Sequence, residues 1–238
     1  MTPGVNEDWQ PDGAARWITE AIETGSPLRD LPADIAPRDA TAGEAVAVAV
    51  LEALLLPACG VRLLRLPDGR LLAGPMLESR LARPTLPLAR NALRHPRVTA
   101  AAIGVLAEAL PEDGHAPPRF AALHAAIDTA DSRFTEWPDS LPLLAADLGA
   151  LGLVVAGRPR TAEPGVIRLL IGPPGARRVA QPVDLSGAFA AAAIAARRFG
   201  GLPAGALLVV AGLSAVLPAE GRIAADLGPL GKVEFGFA

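Results

Sequence analysis

One cysteine, Cys59, excludes an internal disulfide and any cysteine-based metal cluster. Lysine is nearly absent too. Of 22 lysines and arginines, only Lys232 is a lysine. Arginine stays protonated and is no amine nucleophile, so Schiff-base chemistry would fall to Lys232 alone. That residue sits in a terminal stretch of alternating polarity and reads as part of a solvated face. Aromatic residues make up 4% of the chain against 51% hydrophobic, so the core must be built from alanine, leucine and valine. The formal charge of −3 is too small to imply a nucleic-acid or acidic-membrane partner. The longest apolar run, residues 45–60, is broken by Glu52 and Pro57 and is too short to span a bilayer. The opening MTPGVNEDWQ is polar and acidic, unlike a secretion signal. The expectation is a soluble cytoplasmic protein.

What is present is enough for one domain, or one domain preceded by a helical part, in 238 residues. A chain of this length buries roughly 70–75% of its unfolded surface, so it needs no staples. Trp17, Ile18 and Ile22 have helical spacing within residues 14–24. Residues 41–56 are the strongest helix, with Thr41 and Glu44 at capping-box spacing and Pro57 and Gly60 closing it. Residues 61–72 read as a hairpin turned by Pro67-Asp68-Gly69. The alanine-rich residues 98–110 fit helix or strand. Residues 141–148 suggest a short helix and 151–156 a buried strand. A second hairpin, 167–171 with 179–183, turns at Gly172-Pro173-Pro174-Gly175. Residues 185–199 are another alanine-rich helix, with Arg197 and Arg198 in its last turn and Gly200 after it.

The most organised stretch is 200–237, read as one compact β unit. Leu207–Val210 is a short apolar run bounded by Gly205 and Gly212, as in a strand buried on both faces. Arg222–Asp226 and the alternating Lys232–Phe237 follow, separated by a Gly-Pro-Leu-Gly corner. The order L-x-A-G-x-L, then G-x-I-x-A-D-L-G-x-L-G-x-V-x-F-x-F, resembles the C-terminal end of the 2-keto-4-pentenoate hydratase group of the fumarylacetoacetate hydrolase superfamily. The resemblance covers about residues 41–238. It implies a mixed α/β fold with a β barrel-like core (61–238) and an N-terminal helical cap (1–60).

The same resemblance locates the chemistry. In that family three carboxylates hold Mg²⁺ or Mn²⁺, and the ion polarises a 2-keto acid. Two come from a P-R-x-E-x-E strand, where a spacing of two puts both on one face. The matching Pro96–Ala101 has Thr99 and Ala101 at those positions. The third belongs to an E-x-x-D-S-R segment, here Asp128-Thr129-Ala130-Asp131-Ser132-Arg133. Asp128 and Arg62 are thus the candidate catalytic residues, and Asp128 is the sole candidate metal ligand. Arg62 is the counterpart of the family lysine, able to clamp a carboxylate but not to act as a base. Thr99, Asp131, Arg133, Gly212 and Ser214 are the candidate substrate-binding residues. Asp131 and Arg133 also fit a structural ion pair. The family's A-D-N becomes Ala146-Asp147-Leu148, and its T-G-S becomes Ala211-Gly212-Leu213.

These changes leave one carboxylate where a dication needs several. They imply a dry, apolar pocket edged by Asp128, Arg62 and Thr99, with metal-dependent hydration lost or altered. No cofactor is expected, with Mg²⁺ or Mn²⁺ only if the family site is partly retained. The implied partners are a small carboxylated metabolite and further copies of the chain or an active paralogue. Two functions stay open: a hydratase- or lyase-like enzyme on a small keto or enol acid, and a non-catalytic homologue that binds a metabolite or a partner subunit. Other signals are weaker. His95, His115 and His124 lack ligand spacing, Ser186 and Ser214 lack a nucleophile elbow, and Gly172–Arg178 lacks the Gly-Lys-Ser/Thr of a phosphate loop.

Overall fold

The computed structural model describes residues 9–83 and 87–238. Residues 1–8 and 84–86 lie outside the described residues. Two helices come first, α1 (Asp12–Thr24) and α2 (Ala40–Ala53). The cap of α2 is Asp39 rather than Thr41. Extended backbone at Asp39 lets its carboxylate accept the Ala42 N–H at 2.8 Å, which leaves Thr41 inside the first turn.

Strands β1 (Ala58–Arg65) and β2 (Leu71–Leu77) form the first hairpin, and the two-residue β3 (Leu81–Ala82) follows. The ambiguous alanine-rich segment is a strand, β4 (Arg97–Leu106). Alanine's helical preference is only a few tenths of a kcal/mol per residue over ordinary residues. Here it yields to ladders on both sides, from β5 (Phe120–Ala130) and β9 (Leu207–Ala211). The remaining elements are α3 (Leu141–Ala146), β6 (Leu153–Arg160), β7 (Val166–Gly172), β8 (Gln181–Asp184), α4 (Leu185–Arg198), β10 (Arg222–Asp226) and β11 (Lys232–Gly236).

The strands form a curled seven-stranded half-barrel in the order β2-β1-β9-β4-β5-β6-β3 and a four-stranded sheet in the order β11-β10-β7-β8. The 200–237 stretch is therefore not one unit. β9 is inserted between β1, to which it runs parallel, and β4, to which it runs antiparallel, while β10 and β11 belong to the smaller sheet. Strand alternation sorts the half-barrel's side chains into two cores. Val98, Ala100, Ala102, Leu208 and Val210 face the small sheet and α4. Ala101, Ile103, Ala126, Ala130, Val209 and Ala211 face α1, α2 and α3. Among the described residues, no helix is long and apolar enough to cross a membrane.

Candidate functional site

The helix-facing side of the half-barrel carries the chemistry. Thr99 and Asp128 are direct partners in the β4–β5 ladder, and Ala101 and Ala126 are the next pair on that face. β1 lies three strands from β5, about 14 Å along a flat sheet at ordinary strand spacing. The curl closes that gap. Arg62 Nε and Nη2 each donate to one Asp128 carboxylate oxygen at 2.7 Å, and Nη1 donates to the Gly149 carbonyl at 2.8 Å. Both charged side chains are 1% exposed. This two-pronged geometry is the strong form of an ion pair, and it satisfies both carboxylate oxygens.

Backbone shape supplies the third acceptor. Leu148, Gly149 and Ala150 are all left-handed, with φ of 53°, 65° and 53°. Such backbone is costly at the two non-glycine positions. Gly149 packs on Gly74, the ladder partner of Arg62 on β2, so closely that a Cβ at Gly74 would stand 2.7 Å from the Gly149 Cα. The turn is thereby pressed onto the hairpin, with the Gly149 carbonyl at the guanidinium.

A second buried pair lies just beyond β5. Asp147 is fully buried and accepts from Ser132 Oγ and the Arg133 N–H, both at 2.9 Å, and from Arg133 Nη1 at 3.1 Å. Burial pushes the Asp147 carboxyl above its usual range, against the pull of Arg133 and these hydrogen bonds. Arg133 also donates to the Asp147 and Leu151 carbonyls. The partner of Arg133 is thus Asp147, not Asp131. Asp131 instead accepts the Arg94 and His95 backbone N–H groups and ties the approach to β4. Sequence reading named Asp147 but missed this role. The available signal was a carboxylate within an otherwise apolar helix end, in a chain with arginines to spare.

The other expected positions serve the backbone. Thr99 Oγ1 accepts the Gly212 N–H at 3.1 Å. Gly212 has φ of 70°, and a Cβ there would collide with the Arg65 carbonyl. Ser214 lies beyond the end of β9, not on a strand, and its hydroxyl accepts the Ala100 N–H at 3.0 Å. The dry pocket expected beside Thr99 shrinks to a cavity of about 10 Å³, lined by Leu64, Thr99, Ala130, Arg97, Trp137 and Val216. Arg97 lies over the Trp137 ring, 3.9 Å from its centroid. Leu64, Leu66 and the Arg97 side chain bound what space there is beside Thr99.

This donor set does not fit a divalent cation. Among the described residues, no three His, Cys, Asp or Glu side chains converge on a point. The one carboxylate at the expected ligand positions, Asp128, already gives both oxygens to Arg62. A hard cation would need several anionic or carbonyl oxygens freed at once.

No family model matches the chain, and no curated protein is significantly similar to it. Solved structures are similar. A 4-oxalocrotonate decarboxylase from Pseudomonas putida G7, complexed with magnesium and adipate, superposes with a TM-score of 0.79 at 18% identity, covering 96% of this chain and 97% of that one. A 2-hydroxyhepta-2,4-diene-1,7-dioate isomerase from Mycobacterium marinum gives 0.55 at 14% identity, over 77% and 76% of the two chains. A fumarylpyruvate hydrolase from Pseudomonas aeruginosa, in complex with Mn²⁺ and pyruvate, gives 0.54 at 13%, over 71% and 78%. At these identities the likeness shows the fold: it is the fumarylacetoacetate hydrolase-like fold that the C-terminal motif implied.

Proposed function

We propose that this chain is a non-catalytic homologue of the 2-keto-acid hydratases and decarboxylases whose fold it shares, working by binding a metabolite or a partner subunit rather than by metal-dependent turnover. One observation carries the reading. The guanidinium of Arg62 takes both oxygens of Asp128 in a closed, fully buried pair. A fixed cation attached to the fold stands in for an exchangeable one, and the carboxylate is neutralised without a ligand shell. Freeing Asp128 would strand a buried guanidinium, which costs several kcal/mol. The neighbouring Thr99 hydroxyl is also committed, to the Gly212 amide.

The test is a paired assay on the purified chain. Calorimetric titration with Mg²⁺ or Mn²⁺ should give no binding heat, and 2-hydroxypenta-2,4-dienoate should be left unconverted with either metal present. Metal-dependent conversion of the dienoate would overturn the reading.

A further inference from the structure

A groove of about 420 Å³ opens where the C-terminal end of α1 meets the end of β5 and the start of β6. That volume lies within the roughly 300–1,000 Å³ of small-molecule sites. Arg80, Arg94 and Arg133 line it together with Asn91 and Asp131. Three guanidinium groups face one carboxylate along the groove wall, and Arg133 is also paired with Asp147 behind it, so the formal surplus is one positive charge. Asp131 accepts the Arg94 and His95 amides rather than a guanidinium fork.

Arg80 is the informative member. It is half-buried and forms no side-chain ion pair among the described residues. Burial, then repulsion from Arg133, hold it below the usual arginine range, with only partial relief from Asp131. An anion bound between Arg80 and Arg133 would offset that repulsion. Arg94 spends one N–H on the Gly25 carbonyl, and Arg133 spends its two terminal nitrogens on Asp147 and Leu151. The Arg80 fork, the Arg133 Nε and the Asn91 amide remain as donors.

We infer that this groove is a binding site for a small dianion, held by Arg80 and Arg133 with Arg94 and Asn91 at its rim. A short dicarboxylate or inorganic phosphate offers enough anionic oxygens to meet the Arg80 fork and the Arg133 Nε at once. The inference rests on reading the chain as a binding protein, and it gives that reading a location away from the closed Arg62–Asp128 pair.

The test uses calorimetry and thermal melting of the full chain at fixed ionic strength, with succinate, inorganic phosphate and acetate as separate probes. Succinate or phosphate should bind and raise the melting temperature, and whichever binds more tightly names the source. Acetate should bind at least about tenfold more weakly, for want of the second charge. Arg80→Gln should weaken the dianion about tenfold or more without lowering the ligand-free melting temperature, because among the described residues Arg80 forms no ion pair and its charge is repelled by Arg133. Arg158→Gln, in the separate basic groove beside β11, should bind as the parent does. Equal binding of acetate and succinate, or undiminished binding by Arg80→Gln, would overturn the site while leaving the non-catalytic reading intact. Absence of any dianion binding at millimolar ligand would also overturn it. Metal-dependent turnover with Arg80-dependent anion binding would sink the non-catalytic reading alone.

Discussion

Two guanidinium–carboxylate pairs, one buried and one part-buried, sit within a few residues of one turn, yet they do different work. Arg62–Asp128 joins strands 66 residues apart in sequence across the curl of the half-barrel, and both partners are out of solvent. Arg133–Asp147 closes a span of 14 residues, has a serine and a backbone N–H beside it, and keeps its arginine 15% exposed. The long pair holds the shape of the sheet. The short pair holds a loop end, and its arginine can still face a groove. A charge is free to serve a ligand only where the fold does not consume all of its donors.

The strongest way to break the contrast is Asp128→Ala. It leaves Arg62 buried and unpaired, so chemical denaturation should show a loss of about 3–5 kcal/mol. Asp147→Ala should cost less, about 1.5–3 kcal/mol by the same measurement, because Arg133 keeps its carbonyl acceptors and reaches water. Thr99→Val should cost roughly 1 kcal/mol by removing the acceptor of the Gly212 amide at nearly constant volume. If the long pair is a shape-holder, replacing both partners together, as Arg62→Met with Asp128→Leu, should restore stability to within about 1 kcal/mol of the parent. A double variant as unstable as Asp128→Ala would show instead that the charges themselves are required.

The smallest effect is kinetic. Cys59 lies on β1 three residues before Arg62, and its thiol donates to the Met76 carbonyl at 3.3 Å. Burial raises its pKa above the ordinary thiol value; the residue's own backbone N–H partly offsets that, and Glu78 adds to it. The sign follows: the thiol's contribution to stability is complete below the unfolded value and is lost as pH rises through the folded one. Alkylation near neutral pH should be slower than in the unfolded chain and should speed up in alkali. Asp128→Ala should accelerate it and Asp147→Ala should not, because only the first loosens β1.

Local chemistry made much of this fold legible. Gly205 and Gly212 bracketed β9, Pro67-Asp68-Gly69 marked the first hairpin, and Gly200 ended α4. Pairing at a distance was not. Residues 98–110 are alanine-rich enough for either periodicity, and only β5 and β9 decide the matter. Asp39 outcompeted Thr41 as a cap because its backbone is extended, which composition does not disclose. Arg62 and Asp128 were each singled out, but as pocket residues. Their union depends on sheet curvature, and neither residue's neighbours encode that. Asp131 was matched to Arg133 by proximity in sequence, whereas the left-handed run at Leu148–Ala150 delivers Asp147 instead.

The placement of β9 has a consequence for how the molecule comes into being. Its neighbours β1 and β4 precede it by more than a hundred residues, and it separates them in the finished sheet. A nascent chain that has produced only those earlier strands has two unpaired edges facing one another, and must hold them apart or cover them until residues 207–211 emerge from the ribosome. Such late, long-distance closure favours slow folding and exposes sticky strand edges in the meantime. Synthesis halted just short of β9 should therefore yield aggregates rather than a smaller soluble domain.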